Sequence, residues 1–231
     1  MSEPRALTLL WCGDDSAGSG PAGRFEQIRA AAGAAAVRPV GPRPGKEIDP
    51  LLDGRVLVVG TDADLAAVAL RLLRRDRLAA VELAYATADP TPVTRLHGLP
   101  TGAPAVELAR SGTARPVTLV RDDVGGVLVG AGELGPISTG TVYVDEHRVL
   151  RGAAELIRVV PDAAKGLTVT VLQRRVAGVF GPRPRTTAGR AVQLGMAPTT
   201  VRSDGREYPR PMDRWTFYKH TAPLQLVCPA R

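Results

Sequence analysis

The sequence runs to 231 residues, 44% hydrophobic and 23% charged, with only nine aromatic side chains, two cysteines and a net charge of +7. That length accommodates one large or two small domains, each with its own core. No apolar run approaches the roughly 18 to 20 residues of a membrane-spanning helix, and no basic segment followed by a long apolar one opens the chain, so a soluble, cytoplasmic protein is expected. Cys12 and Cys228 lack any CxxC spacing, which argues against a zinc site or a disulfide framework and for two buried thiols.

The first half alternates strand and helix. Leu7–Trp11 reads as a strand, residues 25–35 as a helix with Phe25, Ile28 and Ala32 inward, and residues 36–40 as a second strand, followed by a Pro/Gly-rich loop over 41–50. Residues 56–59 are an unbroken apolar run of the kind a buried parallel strand needs, and Leu65, Val68, Ala69, Leu72 and Leu73 then recur at helical spacing. A strand over 80–84, a polar loop over 87–94 and a short helix over 103–110 complete a βαβ pattern, which predicts a parallel sheet covered on both faces. After Pro116 the pattern changes to short strands separated by turns, at 117–121, 127–130, 141–145, 156–160, 167–173, 191–194, 199–202, 215–220 and 224–227. Asp122-Asp123, Asp145-Glu146 and Asp204-Gly205 mark turns, the last being a strong hairpin signal. The expected architecture is therefore α/β: a Rossmann-like parallel domain over 1–116, then a β-sandwich domain over 117–231. Alternation places Trp215 and Phe217 together on the core side of their strand.

The corner between strand 56–59 and the next helix reads Gly60, Thr61, Asp62, Ala63, Asp64. Free backbone N–H groups at such a corner bind anions when glycines let phosphate approach the backbone. Two carboxylates would repel a phosphate unless a metal ion stood between them, and Thr61, Asp62 or Asp64 is equally suited to capping the helix.

Charge is divided unevenly. Residues 1–130 hold 15 basic and 15 acidic side chains, residues 131–231 hold 15 basic and 8 acidic ones, and no acid occurs from Ala163 to Ser203. That interval carries Lys165, Arg174, Arg175, Arg183, Arg185, Arg190 and Arg202, with a basic excursion expected over 181–189. It suits an anionic partner such as a phospholipid surface or a phosphorylated ligand, or else forms a solvated loop. The scarcity of aromatics leaves little for base stacking, so nucleic acid is not expected. GAGELG at 130–135 matches GxGxxG, but no helix can follow it, so a dinucleotide site is excluded by context. His97, His147 and His220 share no metal-ligand spacing, and no metal site is expected.

These pieces together resemble the diacylglycerol kinase and sphingosine kinase family with its bacterial lipid kinases. VVGTDADLAAV at 58–68 is similar to that family's GGDGT corner and following helix, and RLHGLP at 95–100 to the end of its second motif. ARPVTLV at 114–120, VVPDAAKGLTVTVL at 159–172, TVRSDGREYP at 200–209 and LQLVCP at 224–229 resemble later segments in the right order. The resemblance implies an NAD-kinase-like fold and, in an active member, ATP with Mg2+ and transfer of phosphate to a lipid hydroxyl. It places Asp62 and Asp204 as catalytic acids, with Gly60, Thr61, Ala63, Asp64, Thr87 and Arg206 as nucleotide-binding positions. The sequence departs from the family where the chemistry sits. Thr61, Ala63 and Asp64 replace two glycines and a threonine of the corner, ATADPTP at 86–92 lacks the second motif's glycines and asparagine, and Arg206 stands where the family's Glu follows Asp-Gly. The expectation is a degenerate member acting as a ligand-binding or regulatory protein toward a small molecule or lipid. The alternatives are an active lipid kinase and a peripheral binder of anionic membrane or nucleic acid through the basic half.

Overall fold

The computed structural model describes residues 7–12, 23–33, 37–173 and 184–230. The chain forms two compact units, Met1–Val117 with Ala222–Arg231, and Thr118–Thr221. In the first, β1 (Leu7–Trp11), β2 (Val37–Pro39), β3 (Arg55–Val59) and β4 (Glu82–Ala86) run parallel in the order β2-β1-β3-β4. Helices α1 (Gly23–Ala32), α2 (Asp62–Arg74), α3 (Pro92–His97) and α4 (Ala103–Ser111) and a 3-10 helix at Lys46–Leu51 connect them, and β5 (Thr113–Val117) follows α4.

Every residue of β3 is buried, as a central strand covered on two faces requires. Leu57 and Val59 face a core with Leu9 of β1, Ile28 of α1 and Val106 of α4. Alternation turns Val56 and Val58 to the other face, and α2, whose Leu65, Val68, Ala69 and Leu72 are all buried, packs on the same strand. Arg55 opens β3 inside the protein. Its guanidinium pairs with Glu82 across the strand at 2.7 Å and donates to the carbonyls of Ala109 and Arg110, so a buried charge fastens the C-terminal turn of α4 to the sheet.

The second unit comprises β6 (Val120–Asp122), β7 (Val127–Leu128), β8 (Gly132–Leu134), β9 (Gly140–Val144), β10 (His147–Arg151) and β11 (Leu156–Asp162). It continues with β12 (Gly166–Leu172), β13 (Arg185–Gly189), β14 (Ala191–Thr199), β15 (Val201–Ser203), β16 (Arg206–Glu207) and β17 (Met212–Lys219). These form two six-stranded sheets, ordered β10-β9-β14-β17-β6-β7 and β13-β12-β11-β8-β15-β16. Strict alternation fills one core between them: Val142, Val192, Leu194, Trp215 and Phe217 from the first sheet meet Ile157, Val159, Leu167 and Val169 from the second.

The last strand, β18 (Leu224–Cys228), corrects the expected division at 116/117. It leaves the β-rich unit and inserts between β4, parallel, and β5, antiparallel, in the first sheet. Leu224, Leu226, Val227 and Cys228 are all buried there, a load that an exposed edge of the second unit would not accommodate. Two further expectations change. The loop expected over 87–94 contains the start of α3, capped by Thr91 with Pro92 at its first position. Arg185–Gly189, expected within a basic excursion, is instead an antiparallel partner of β12, favoured by its β-branched Thr186 and Thr187. The rest of that excursion, with Arg174, Arg175 and Arg183, lies outside the described residues. Among the described residues no helix is long and apolar enough to cross a membrane, and Cys12 and Cys228 are both buried.

Phe217 is fully buried, and a Cβ added at Gly132 would come within 2.8 Å of its ring. Truncation would open a cavity that the glycine strand cannot collapse into without backbone movement. Phe217→Ala is expected to lower stability by about 3–5 kcal/mol in denaturant unfolding followed by circular dichroism.

Candidate functional site: the strand–helix corner and its buried carboxylates

The strand-to-helix corner forms where the sequence places it. β3 ends at Val59, Gly60 turns the chain, and α2 begins at Asp62 with Thr61 as its N-cap. The cap is reciprocal. Thr61 Oγ1 accepts from the Asp64 amide at 3.3 Å while the Asp64 carboxylate accepts from the Thr61 amide and hydroxyl, both at 2.7 Å. A third donor arrives from a distant loop: the backbone N–H of Arg43, in left-handed conformation at φ 50°, reaches Asp64 Oδ1 at 2.6 Å. Asp64 is only 2% exposed. Its carboxylate thus closes the capping box of α2 from inside the protein and draws in the Arg43 amide as a further donor.

Gly60 is required by this arrangement. A Cβ there would stand 2.5 Å from Asp64 Oδ2 and 3.2 Å from Cys12 Cβ. The glycine therefore makes room for a side chain of the protein itself. Ala63, half-buried in the first turn of α2, contributes no polar group.

Asp62 belongs to a second network. Its carboxylate accepts from the Tyr85 hydroxyl at 2.9 Å and the Val93 amide at 3.1 Å, and Tyr85 Oη is also 3.2 Å from the Gly60 carbonyl. Asp62 thereby joins the α2 N-terminus to β4 and to the first turn of α3. Burial, reinforced by the Asp62 charge, pushes the Tyr85 phenol far above its ordinary range, so it remains a donor; Thr87 and Thr91 lie beside it. Thr87 is buried, and its carbonyl accepts from the Gly102 amide ahead of α4.

In the second unit Asp204 and Gly205 form the two-residue turn between β15 and β16, both at positive φ, 51° and 80°. The Asp204 side chain points inward, 3% exposed, and accepts from three consecutive amides, Val129 at 3.0 Å, Gly130 at 2.7 Å and Ala131 at 3.1 Å. Val129 and the first two residues of the GAGELG stretch are therefore a backbone nest for an internal carboxylate, and the stretch runs on into β8. Arg206 is exposed on β16. Gly60, Thr61, Asp62, Ala63, Asp64 and Thr87 lie in the first unit, and Asp204 and Arg206 in the second. Sequence reasoning missed Tyr85, Arg43 and the 129–131 amides. Tyr85 left a signal, being the one aromatic in an otherwise aliphatic buried strand. The amides left none, because backbone donors carry no side-chain signature.

No family model matches this sequence, and no curated protein matches it as a relative. Solved structures match nearly its whole length. A candidate diacylglycerol kinase of Bacillus anthracis str. Sterne is 13% identical with a TM-score of 0.71, and 99% of each chain is covered. An NAD kinase from Archaeoglobus fulgidus in complex with ATP is 13% identical with a TM-score of 0.58, covering 96% of this chain and 92% of that one. Yeast NADH kinase complexed with NADH gives 10% identity and a TM-score of 0.54, covering 99% and 84%. The chain has a kinase fold of the α/β-plus-β-rich type. More narrowly, that fold is the one shared by diacylglycerol-kinase-like proteins and NAD kinases.

Each buried carboxylate can be tested by removing it. Asp64→Ala takes a buried acceptor from two amides and a hydroxyl on the exposed residues Arg43 and Thr61 and is expected to cost about 1–2 kcal/mol in thermal or denaturant unfolding. Asp204→Asn keeps the shape but replaces one acceptor oxygen by a donor facing amides, and a loss of about 1–3 kcal/mol is expected. Burial, with the Asp64 charge behind it, pushes the Cys12 thiol from 9.0 up to about 12. The native protein should therefore resist alkylation at pH 8, monitored by intact-mass spectrometry. Above pH 9 only the unfolded chain readily releases this proton, so its contribution makes stability fall as pH rises.

Proposed function

We propose that this chain is a kinase-fold protein without phosphotransfer activity, a binding or regulatory protein whose phosphate corner is closed from within. The observation that carries the reading is the Asp64 carboxylate held by the Arg43 and Thr61 amides. A triphosphate does not fit these residues. It would have to displace a buried carboxylate from its donors, and a phosphate oxygen beside that carboxylate would be repelled in a site where charges are poorly screened. Pro90 and Pro92 remove two more amide donors from the following loop. Asp62, the residue best placed by resemblance to act as base or metal ligand, is instead engaged by Tyr85 and Val93.

The energetic scale supports the same direction. Loss of one oxyanion-type donor costs about 2.7–4 kcal/mol of transition-state stabilisation, and here several donors are committed to an internal anion. On this reading the two units serve a small-molecule or lipid ligand bound away from the corner.

Calorimetric titration of Mg-ATP and Mg-ADP into the full chain is the test. No heat of binding at millimolar nucleotide is expected. Micromolar binding that disappears in Asp62→Asn would overturn the proposal and restore an active kinase, with a lipid hydroxyl as the acceptor to screen.

A further inference from the structure

The outer face of the sheet β10-β9-β14-β17-β6 carries exposed side chains whose cross-strand rows are basic, with the exposed acids Glu146 in the β9–β10 turn and Asp213 on β17 next in sequence to them. Because Val142, Val144, Val192, Leu194, Trp215 and Phe217 point into the core, the alternate residues point out. Register aligns them in rows across the strands. Arg151 pairs with Thr141, Thr141 with Gly195, and Gly195 with Arg214. One step along, Arg148 pairs with Tyr143, Tyr143 with Gln193, and Gln193 with Thr216. In a third row Ala191 pairs with Tyr218 and Tyr218 with Arg121. The rows carry four arginines and no acid. The carboxylate just past the end of β9, Asp145, is committed to the amides of Arg190 and Ala191.

Arg148, Arg151, Arg214, Gln193 and Tyr143 are exposed, Tyr143 at 40%. At one corner the face sinks into an open concavity of about 460 Å³, lined by Arg151, the hydroxyl-bearing Thr139 and Thr141, three glycines, and the apolar Met196 and Ala197. A cation, two hydroxyls and bare backbone around a small hollow are the chemistry that holds a phosphate ester.

We propose that this face docks the protein on an anionic phospholipid surface, with one headgroup phosphate in the Arg151 hollow and neighbouring headgroups against Arg148, Arg214 and Arg121. Charge complementarity selects the class of partner. Four like charges on one face oppose pairing with a second copy of itself. The ring of Tyr218 already carries the Arg121 guanidinium, 5.8 Å from its centre, which leaves Tyr143 as the single open ring among these rows; a file of stacking platforms for single-stranded nucleic acid is missing. A planar array of phosphates needs no such file, and an exposed tyrosine among arginines suits the headgroup boundary. The surface lies wholly in the second unit and is independent of the phosphate corner, so the inference does not rest on the proposal above.

The test is co-sedimentation of the full chain with vesicles of phosphatidylcholine alone and of phosphatidylcholine with phosphatidylglycerol in equal amounts. Binding to the anionic vesicles only, weakening with salt, is expected. The triple variant Arg148→Glu, Arg151→Glu and Arg214→Glu should lower the affinity about a hundredfold or more, from about fivefold for each arginine at an anionic surface. A second readout is independent of these arginines: in Tyr143→Trp, the added indole fluorescence should shift to the blue with anionic vesicles and be quenched by brominated lipid. Four results would each overturn the assignment: equal binding of wild type and triple variant, loss of binding in Arg174→Gln/Arg175→Gln instead, an indole signal in Tyr143→Trp that vesicles leave unmoved, or preference for a single-stranded oligonucleotide over vesicles.

Discussion

The Asp64 carboxylate with its three donors is the contact on which the α/β unit of this protein turns. It closes the capping box of α2, ties the loop through Arg43 to the end of β3, and explains why residue 60 must be glycine. It also takes the Thr61 and Arg43 amides at the strand–helix corner. One residue therefore ties the end of β3, the start of α2 and a distant loop together. The arrangement favours stability because the buried carboxylate keeps charge-assisted hydrogen bonds to two amides and a hydroxyl, whereas a buried charge without partners would be costly.

The same physical solution recurs in the β-rich unit, where the Asp204 side chain gathers the Val129, Gly130 and Ala131 amides. There the carboxylate fastens the β15–β16 hairpin to the segment entering β8, and the left-handed turn at Asp204-Gly205 aims it inward. Asp62 makes a third instance, between Tyr85 and the Val93 amide. Each of the three acids singled out by resemblance to a kinase family is committed to backbone, hydroxyl or phenol donors within its own unit. Nothing in the fold itself, shared with diacylglycerol-kinase-like proteins and NAD kinases, demands that outcome; it follows from the particular residues at 61–64 and their neighbours.

Much of the architecture was legible because burial imposes periodicity. The all-apolar run at 56–59, the helical spacing of Leu65, Val68, Ala69 and Leu72, and the alternation around Trp215 and Phe217 each report a face that must be hidden from water. The placement of β18 was not legible: LQLVC suits a central strand in either unit, and only the space between β4 and β5 decides it. The α3 helix was masked by the prolines that in fact start it, since Pro at a first helical position reads as a turn in sequence. At the corner, the sequence exposed both a nucleotide-binding resemblance and a helix cap. The amide of Arg43, twenty-one residues away, tips the balance toward the cap, and a donor belonging to the backbone leaves no trace in residue type.

The most direct test of the closed corner is to follow the backbone amide resonances of Arg43 and Thr61 by NMR while Mg-ATP or inorganic phosphate is added to the full chain. If Asp64 occupies the anion position, both resonances stay fixed through millimolar ligand and move in Asp64→Asn. Saturable shifts of both amides in the unmodified protein would mean that an external phosphate reaches the corner, and would contradict the account.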